Sequence, residues 1–82
     1  YDLASGRWLP VGALPARPAL GHHHAAEVLD GRLYLLGGLG FHSPGVVQML
    51  DPAVGRWVLR AAMPFAAGAS ASAVIDGRII VA

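Results

Sequence analysis

Three consecutive imidazoles, His22-His23-His24, have the widest chemical repertoire in this sequence. Imidazole nitrogen suits Zn, Cu and Ni, so a metal site is one reading of the run. The spacing argues against it. In an extended chain adjacent side chains point to opposite faces, which leaves only His22 and His24 on a common side. No Cys, Asp or Glu stands close enough in sequence to complete a ligand set. The expectation is therefore packing or lining histidines, with ligand contact at His22 as the alternative, and no metal or cofactor is assigned.

The other candidates are binding groups rather than catalysts. Phe41, His42 and Ser43 are framed by Gly40, Pro44 and Gly45, and an aromatic at a loop tip can anchor a partner or fold back over its own sheet edge. Arg17, between Pro15 and Pro18, is expected to be a solvated loop arginine, with engagement of an acidic partner as the alternative. Glu27 stands alone among apolar residues and has no visible partner. Nothing in the sequence forms a Ser–His–Asp set, a paired acid and base, or a phosphate-cradling loop. An enzyme is accordingly not expected.

Composition narrows the partners. Six cations, all arginine, face five carboxylates for a formal net charge of +1. The arginines are scattered, so nucleic acid is disfavoured. Apolar residues make up 55% of the chain, but in short runs broken by Gly, Pro and Asp. None approaches the roughly 18–20 residues of a membrane-spanning helix, so no membrane partner is expected. Cysteine is absent, which excludes a disulfide framework here. Both ends read as cut, since the chain opens on Tyr1 and stops within Arg78-Ile79-Ile80-Val81-Ala82. No signal-peptide pattern is visible, which tilts the compartment only slightly toward the cytoplasm.

The elements that must position these residues are revealed by self-comparison. An offset of 49 aligns Asp2 with Asp51, Ala4 with Ala53, Gly6-Arg7-Trp8 with Gly55-Arg56-Trp57, and Pro15 with Pro64. Further on, Asp30-Gly31-Arg32 returns as Asp76-Gly77-Arg78 at an offset of 46, three residues having been lost in between. A period of this length belongs to propeller-type arrays.

Locally the pattern is β. Asp-Gly suits the positive φ angles of a two-residue hairpin turn. Strands are expected over residues 22–29, 32–37, 46–50 and 56–60, with the stretch from 51 to 55 as a turn. Residues 1 to about 13 are expected to hold the end of one strand and a following strand, and residues from about 68 to 82 two more. The run Leu33-Tyr34-Leu35-Leu36 is apolar at adjacent positions, as expected of a sheet covered on both faces. A meander of four antiparallel strands per repeat is the blade of a propeller. Successive turns then alternate between ends: the Asp-Gly turns and the 51–55 turn at one, the longer loops 10–21, 37–45 and 61–68 at the other. Longer loops on a rigid scaffold are where binding residues concentrate.

The combined pattern resembles the kelch repeat. Leu33-Tyr34-Leu35-Leu36-Gly37-Gly38 is similar to the kelch strand ending in a double glycine. Tyr1 and Trp8, seven residues apart, resemble the Tyr and Trp that close a repeat, and Leu50 and Trp57 stand at the same spacing. Leu50 departs from the family's Tyr, losing a hydroxyl but keeping a large apolar side chain. The resemblance implies an all-β, incomplete kelch-type β-propeller: one full four-stranded antiparallel blade (16–64), the end of a preceding blade (1–15) and the first half of the next (65–82). It places His22 to His24 near the central channel and makes Trp8 and Trp57 fillers between blades. Phe65 is expected at the blade boundary, and Arg7, Arg32, Arg56 and Arg78 in solvated or turn-bracing roles. The implied function is a scaffold or substrate adaptor binding a protein or peptide through the loops of one face, with the remaining blades of the same chain as structural partners. The alternative is the propeller domain of a secreted or periplasmic enzyme, similar to copper-radical oxidases or sialic acid mutarotases, with its site at the axial face. The piece alone is expected to fold poorly, because such repeats bury their faces against neighbours.

Overall fold

The structure is a computed structural model that describes residues 1–40 and 45–82. All its elements are strands: β1 (Ala25–Leu29), β2 (Arg32–Leu36), β3 (Val47–Asp51), β4 (Arg56–Arg60), β5 (Ser72–Ile75) and β6 (Arg78–Val81). The first four form one antiparallel sheet in the order β1-β2-β3-β4, and β5-β6 form a second. This is the expected meander, with the first hairpin of a second copy beside it.

The turns follow from residue type. Asp30 and Asp76 have φ of 51° and 49°, and Gly31 and Gly77 of 73° and 70°. Both central residues of each turn are thus left-handed, as in the two-residue turn whose twist matches the flanking strands. The register then starts at Leu29↔Arg32 in one hairpin and Ile75↔Arg78 in the other.

Strand pairing sorts the large sheet into two faces. Ala25, Leu36 and Val47 lie across from one another in register and form the buried cluster against which Tyr34, Met63, Ile79 and Val81 pack. Ile79 and Val81 come from β6, so this face of the first sheet is covered by the second. The opposite face carries Leu35, Gln48 and Leu50, all buried. It is covered at one end by the loop that precedes β1. Apolar residues on consecutive positions of β2 and β3 are explained by these two covers.

Two expectations need correction. Residues 1 to about 13 do not form strands; pairing there is a single bridge, Asp2↔Arg7, because among the described residues no neighbouring strand extends it. The innermost strand also begins at Ala25 rather than 22. His23 has φ of 55°, a left-handed conformation that breaks the extended run, and His22 makes only an isolated bridge to Leu39.

Candidate functional site

The meander places the Asp-Gly turns and the 51–55 turn at one end of the sheets, and the segments 10–21, 37–40 and 61–68 at the other. Of the candidate residues, Arg17 and His22 lie at this second end. Phe41 and His42 lie outside the described residues.

The double glycine builds the floor of this end. Gly37 and Gly38 are buried, with φ of 65° and 121°. A Cβ on Gly38 would stand 2.9 Å from the carbonyl oxygen of His22 and 3.4 Å from the Cβ of His24. Only glycine lets the chain leaving β2 pass so close to the start of β1. The strands are stitched there by His22 N–H to the Leu39 carbonyl, 2.9 Å, and Leu39 N–H to the His22 carbonyl, 2.7 Å. Gly38 N–H donates to Ala67 and Ala69 N–H to His23, 2.8 Å each. The segment leading into β5 is thereby bonded to the loop end of the first sheet.

The left-handed residue at this junction belongs to the repeat. Ala69, 46 residues after His23, has φ of 54°. One copy thus carries His22-His23-His24 on this backbone and the next carries Gly68-Ala69-Ser70.

That backbone changes how the histidines group. An extended run would set His22 beside His24; the left-handed turn at His23 instead brings His22 and His23 together. Their Nδ1 atoms are 2.5 Å apart, and their rings meet edge to face with centroids 4.7 Å apart. Both are exposed, whereas His24 turns inward and is half-buried. Arg17 Nη1 donates to His24 Nδ1 at 3.2 Å, so this nitrogen accepts and the imidazole is neutral. Burial, followed by the Arg17 charge, holds the His24 pKa below the ordinary histidine value of 6.5.

Arg17 also differs from the solvated residue expected. It is half-buried and folds back along its own loop, donating through Nη2 to the Gly21 carbonyl. Two further bonds tie the same loop down. The Trp57 indole N–H of β4 donates to the Pro15 carbonyl, 2.9 Å. The amide oxygen of Gln48 on β3 accepts from Ala19 N–H, 2.8 Å. Residues 15–21 are therefore fastened to the start of β1, to β3 and to β4.

Sequence reasoning missed Gln48, which is only 3% exposed. The signal was present: one amide inside the apolar run Val46-Val47-Gln48-Met49-Leu50. A buried amide without partners is costly, so its position implies a backbone group to satisfy. Glu27 finds a partner too, accepting a 2.6 Å hydrogen bond from the Ser72 hydroxyl on β5. At the other end Arg32 Nε pairs with Asp51 at 3.1 Å, a turn-bracing role. Phe65 lines a cleft of about 330 Å³ with Leu36, Met63, Ile79 and Val81, between the two sheets. Of the closing pairs, Leu50 is buried beside Trp57 in register, while Tyr1 and Trp8 pack edge to face, centroids 5.3 Å apart, on an exposed turn.

Among the described residues no three His, Cys, Asp or Glu side chains gather as a metal cluster, and no helix is long and apolar enough to cross a membrane. Comparison with curated proteins finds no match. A sequence model of the Kelch motif matches residues 20–64, more than half of the chain.

Proposed function

Because this chain belongs to the kelch family, we propose that it is part of a binding scaffold that engages a protein or peptide through the loops at the 10–21 end of its sheets. The matched segment and the β1–β4 sheet support residues 16–64 as one blade, with 1–15 and 65–82 belonging to its neighbours.

The observation that carries this reading is the fastening of residues 15–21. Trp57, Gln48 and Arg17 hold a loop with little regular structure at several points along its length. A loop already fixed in the free protein gives up little conformational entropy when a partner lands on it. A rigid sheet presenting fixed loops of varied length is suited to recognition. His22 lies beside this loop, and Phe41 and His42 fall in the 37–45 segment of the sequence.

The test is quantitative affinity capture with the full-length protein, comparing the unsubstituted form with Phe41→Ala, His42→Ala, His22→Ala and Arg17→Ala. At least one specific partner is expected to fall tenfold or more in the Phe41 or His42 variant while thermal unfolding is unchanged. Retention of every partner by all four variants sinks the proposal.

A further inference from the structure

We propose that His22 and His23 form a two-imidazole site for a divalent transition-metal ion of the Zn2+ class at the loop end of the innermost strand. This stands independently of the partner-binding reading.

Two neighbouring nitrogens 2.5 Å apart need something between their lone pairs. A hydrogen on one Nδ1, donated to the other, is the minimal solution. A metal ion is the other: with Zn–N of about 2.05 Å, tetrahedral ligands are about 3.3 Å apart. The rings reach that separation by swinging apart by less than about 1 Å, which two exposed side chains can do without moving the backbone. Each ring then carries its hydrogen on Nε2 and presents Nδ1 to the ion. Imidazole is a preferred ligand for Zn2+, Ni2+ and Cu2+ and a poor one for Mg2+.

The backbone makes the pair more than an accident of adjacency. His22 is held on both its N–H and C=O by Leu39, and the carbonyl of His23 by Ala69 N–H. The left-handed φ of His23 turns the two side chains to one side. Ala69 has the same conformation at the equivalent position, so the backbone of the pair needs no separate ordering and only the two side chains are ordered on binding. The equivalent Gly68 and Ala69 carry no ligand, so the site is particular to one blade. Arg17 is bonded to His24 and to the Gly21 carbonyl. His24 spends its Nδ1 on Arg17 and does not contribute. Two imidazoles leave about two tetrahedral positions, open to water or to a donor from outside the chain.

The test is titration of the full-length protein with ZnCl2, by calorimetry and by the imidazole nitrogen NMR signals, with MgCl2 as the hard-ion control. Zn2+ is expected to shift the Nδ1 signals of His22 and His23 and to leave that of His24 in place. His22→Ala and His23→Asn, the latter tolerant of a left-handed φ, are each expected to weaken this binding at least tenfold, and His24→Ala less than twofold. The same chain unfolded in urea is expected to bind at least tenfold more weakly. Far-UV circular dichroism establishes that the variants are folded. The proposal is overturned if Zn2+ moves neither Nδ1 signal, if His24→Ala loses as much as the other two, or if the unfolded chain binds equally well. The last result would reduce the site to chelation by any run of histidines.

Discussion

Two turns in this molecule have nearly the same sequence and very different surroundings. In Asp2-Leu3-Ala4-Ser5-Gly6-Arg7 and Asp51-Pro52-Ala53-Val54-Gly55-Arg56, the glycine N–H reaches back to the aspartate carbonyl at 2.9 Å in both. The alanine N–H bonds the aspartate carboxylate at 3.1 Å in one and 3.0 Å in the other. The glycines have φ of 68° and 64°. Beyond the turn the likeness ends. Arg56 opens a strand paired residue by residue with β3, while Arg7 is followed by no strand. Trp57 bonds across to Pro15; Trp8 is 82% exposed and, among the described aromatic residues, meets only Tyr1. The turn is thus specified within six residues, whereas the strand after it requires a neighbour. Propagation of a sheet is a tertiary property even when its initiation is local.

The contrast can be broken most severely by removing what supports the complete sheet. Gly38→Ala combines a left-handed φ with a Cβ only 2.9 Å from a fixed carbonyl, and is expected to cost the full-length protein more than about 2 kcal/mol. Gly6→Ala meets nothing closer than the Tyr1 hydroxyl at 3.6 Å; its cost is expected to be the left-handed strain alone, about 1 kcal/mol. Equal losses in urea unfolding would mean that close approach contributes nothing at Gly38.

A gentler probe uses the two carboxylates. Both are held below the ordinary aspartate value, Asp2 by the Ser5 hydroxyl and then the Ala4 N–H, Asp51 by the Ala53 N–H and then Arg32. A depressed folded-state pKa means the unfolded chain binds the proton first. The contribution is therefore complete above about pH 4 and is lost as pH falls through the folded value. Asp51→Asn is expected to flatten the acid side of the stability profile more than Asp2→Asn, because only Asp51 carries a cation bridge from another strand. Acid titrations followed by circular dichroism compare them directly, and identical profiles would remove the strand-borne arginine from the account.

The smallest effect is at His24. Its folded pKa lies below 6.5, so stability is expected to decline as pH drops from about 6.5 toward the folded value and then level off. Arg17→Gln is expected to raise the His24 titration midpoint, but not to 6.5, since burial is the larger cause. An unchanged midpoint by NMR would separate the pair.

The sequence made the local features readable. Asp-Gly turns, the double glycine and the 51–55 turn are short-range patterns in which residue type dictates φ. The ties of the candidate site were not readable in this way. Gln48 reaches Ala19 across 29 positions, Trp57 reaches Pro15 across 42 and Ser72 reaches Glu27 across 45. No periodicity announces such pairs. The grouping of the histidines was misjudged for a related reason: alternation holds only while the backbone stays extended, and at His23 it does not. The three residues by which the offset shrinks from 49 to 46 fall before this left-handed position, so loop length varies while the junction keeps its geometry.

The bonds from Ala69 to His23 and from Ser72 to Glu27 run beside the inner strand, and that from Gly38 to Ala67 joins the end of β2 to the segment before β5, like the stitching of a spine. Beside this stitched edge, Met63 and Phe65 line a cleft between the two sheets. Two plates hinged at one edge and propped at the other define a wedge. Curvature in such an array follows from the rotation between neighbouring repeats, and side-chain volume in the cleft contributes to it. Bulk at Met63 and Phe65 is therefore a lever on curvature, and a change there would alter how steeply one sheet leans from the next while leaving the spine intact.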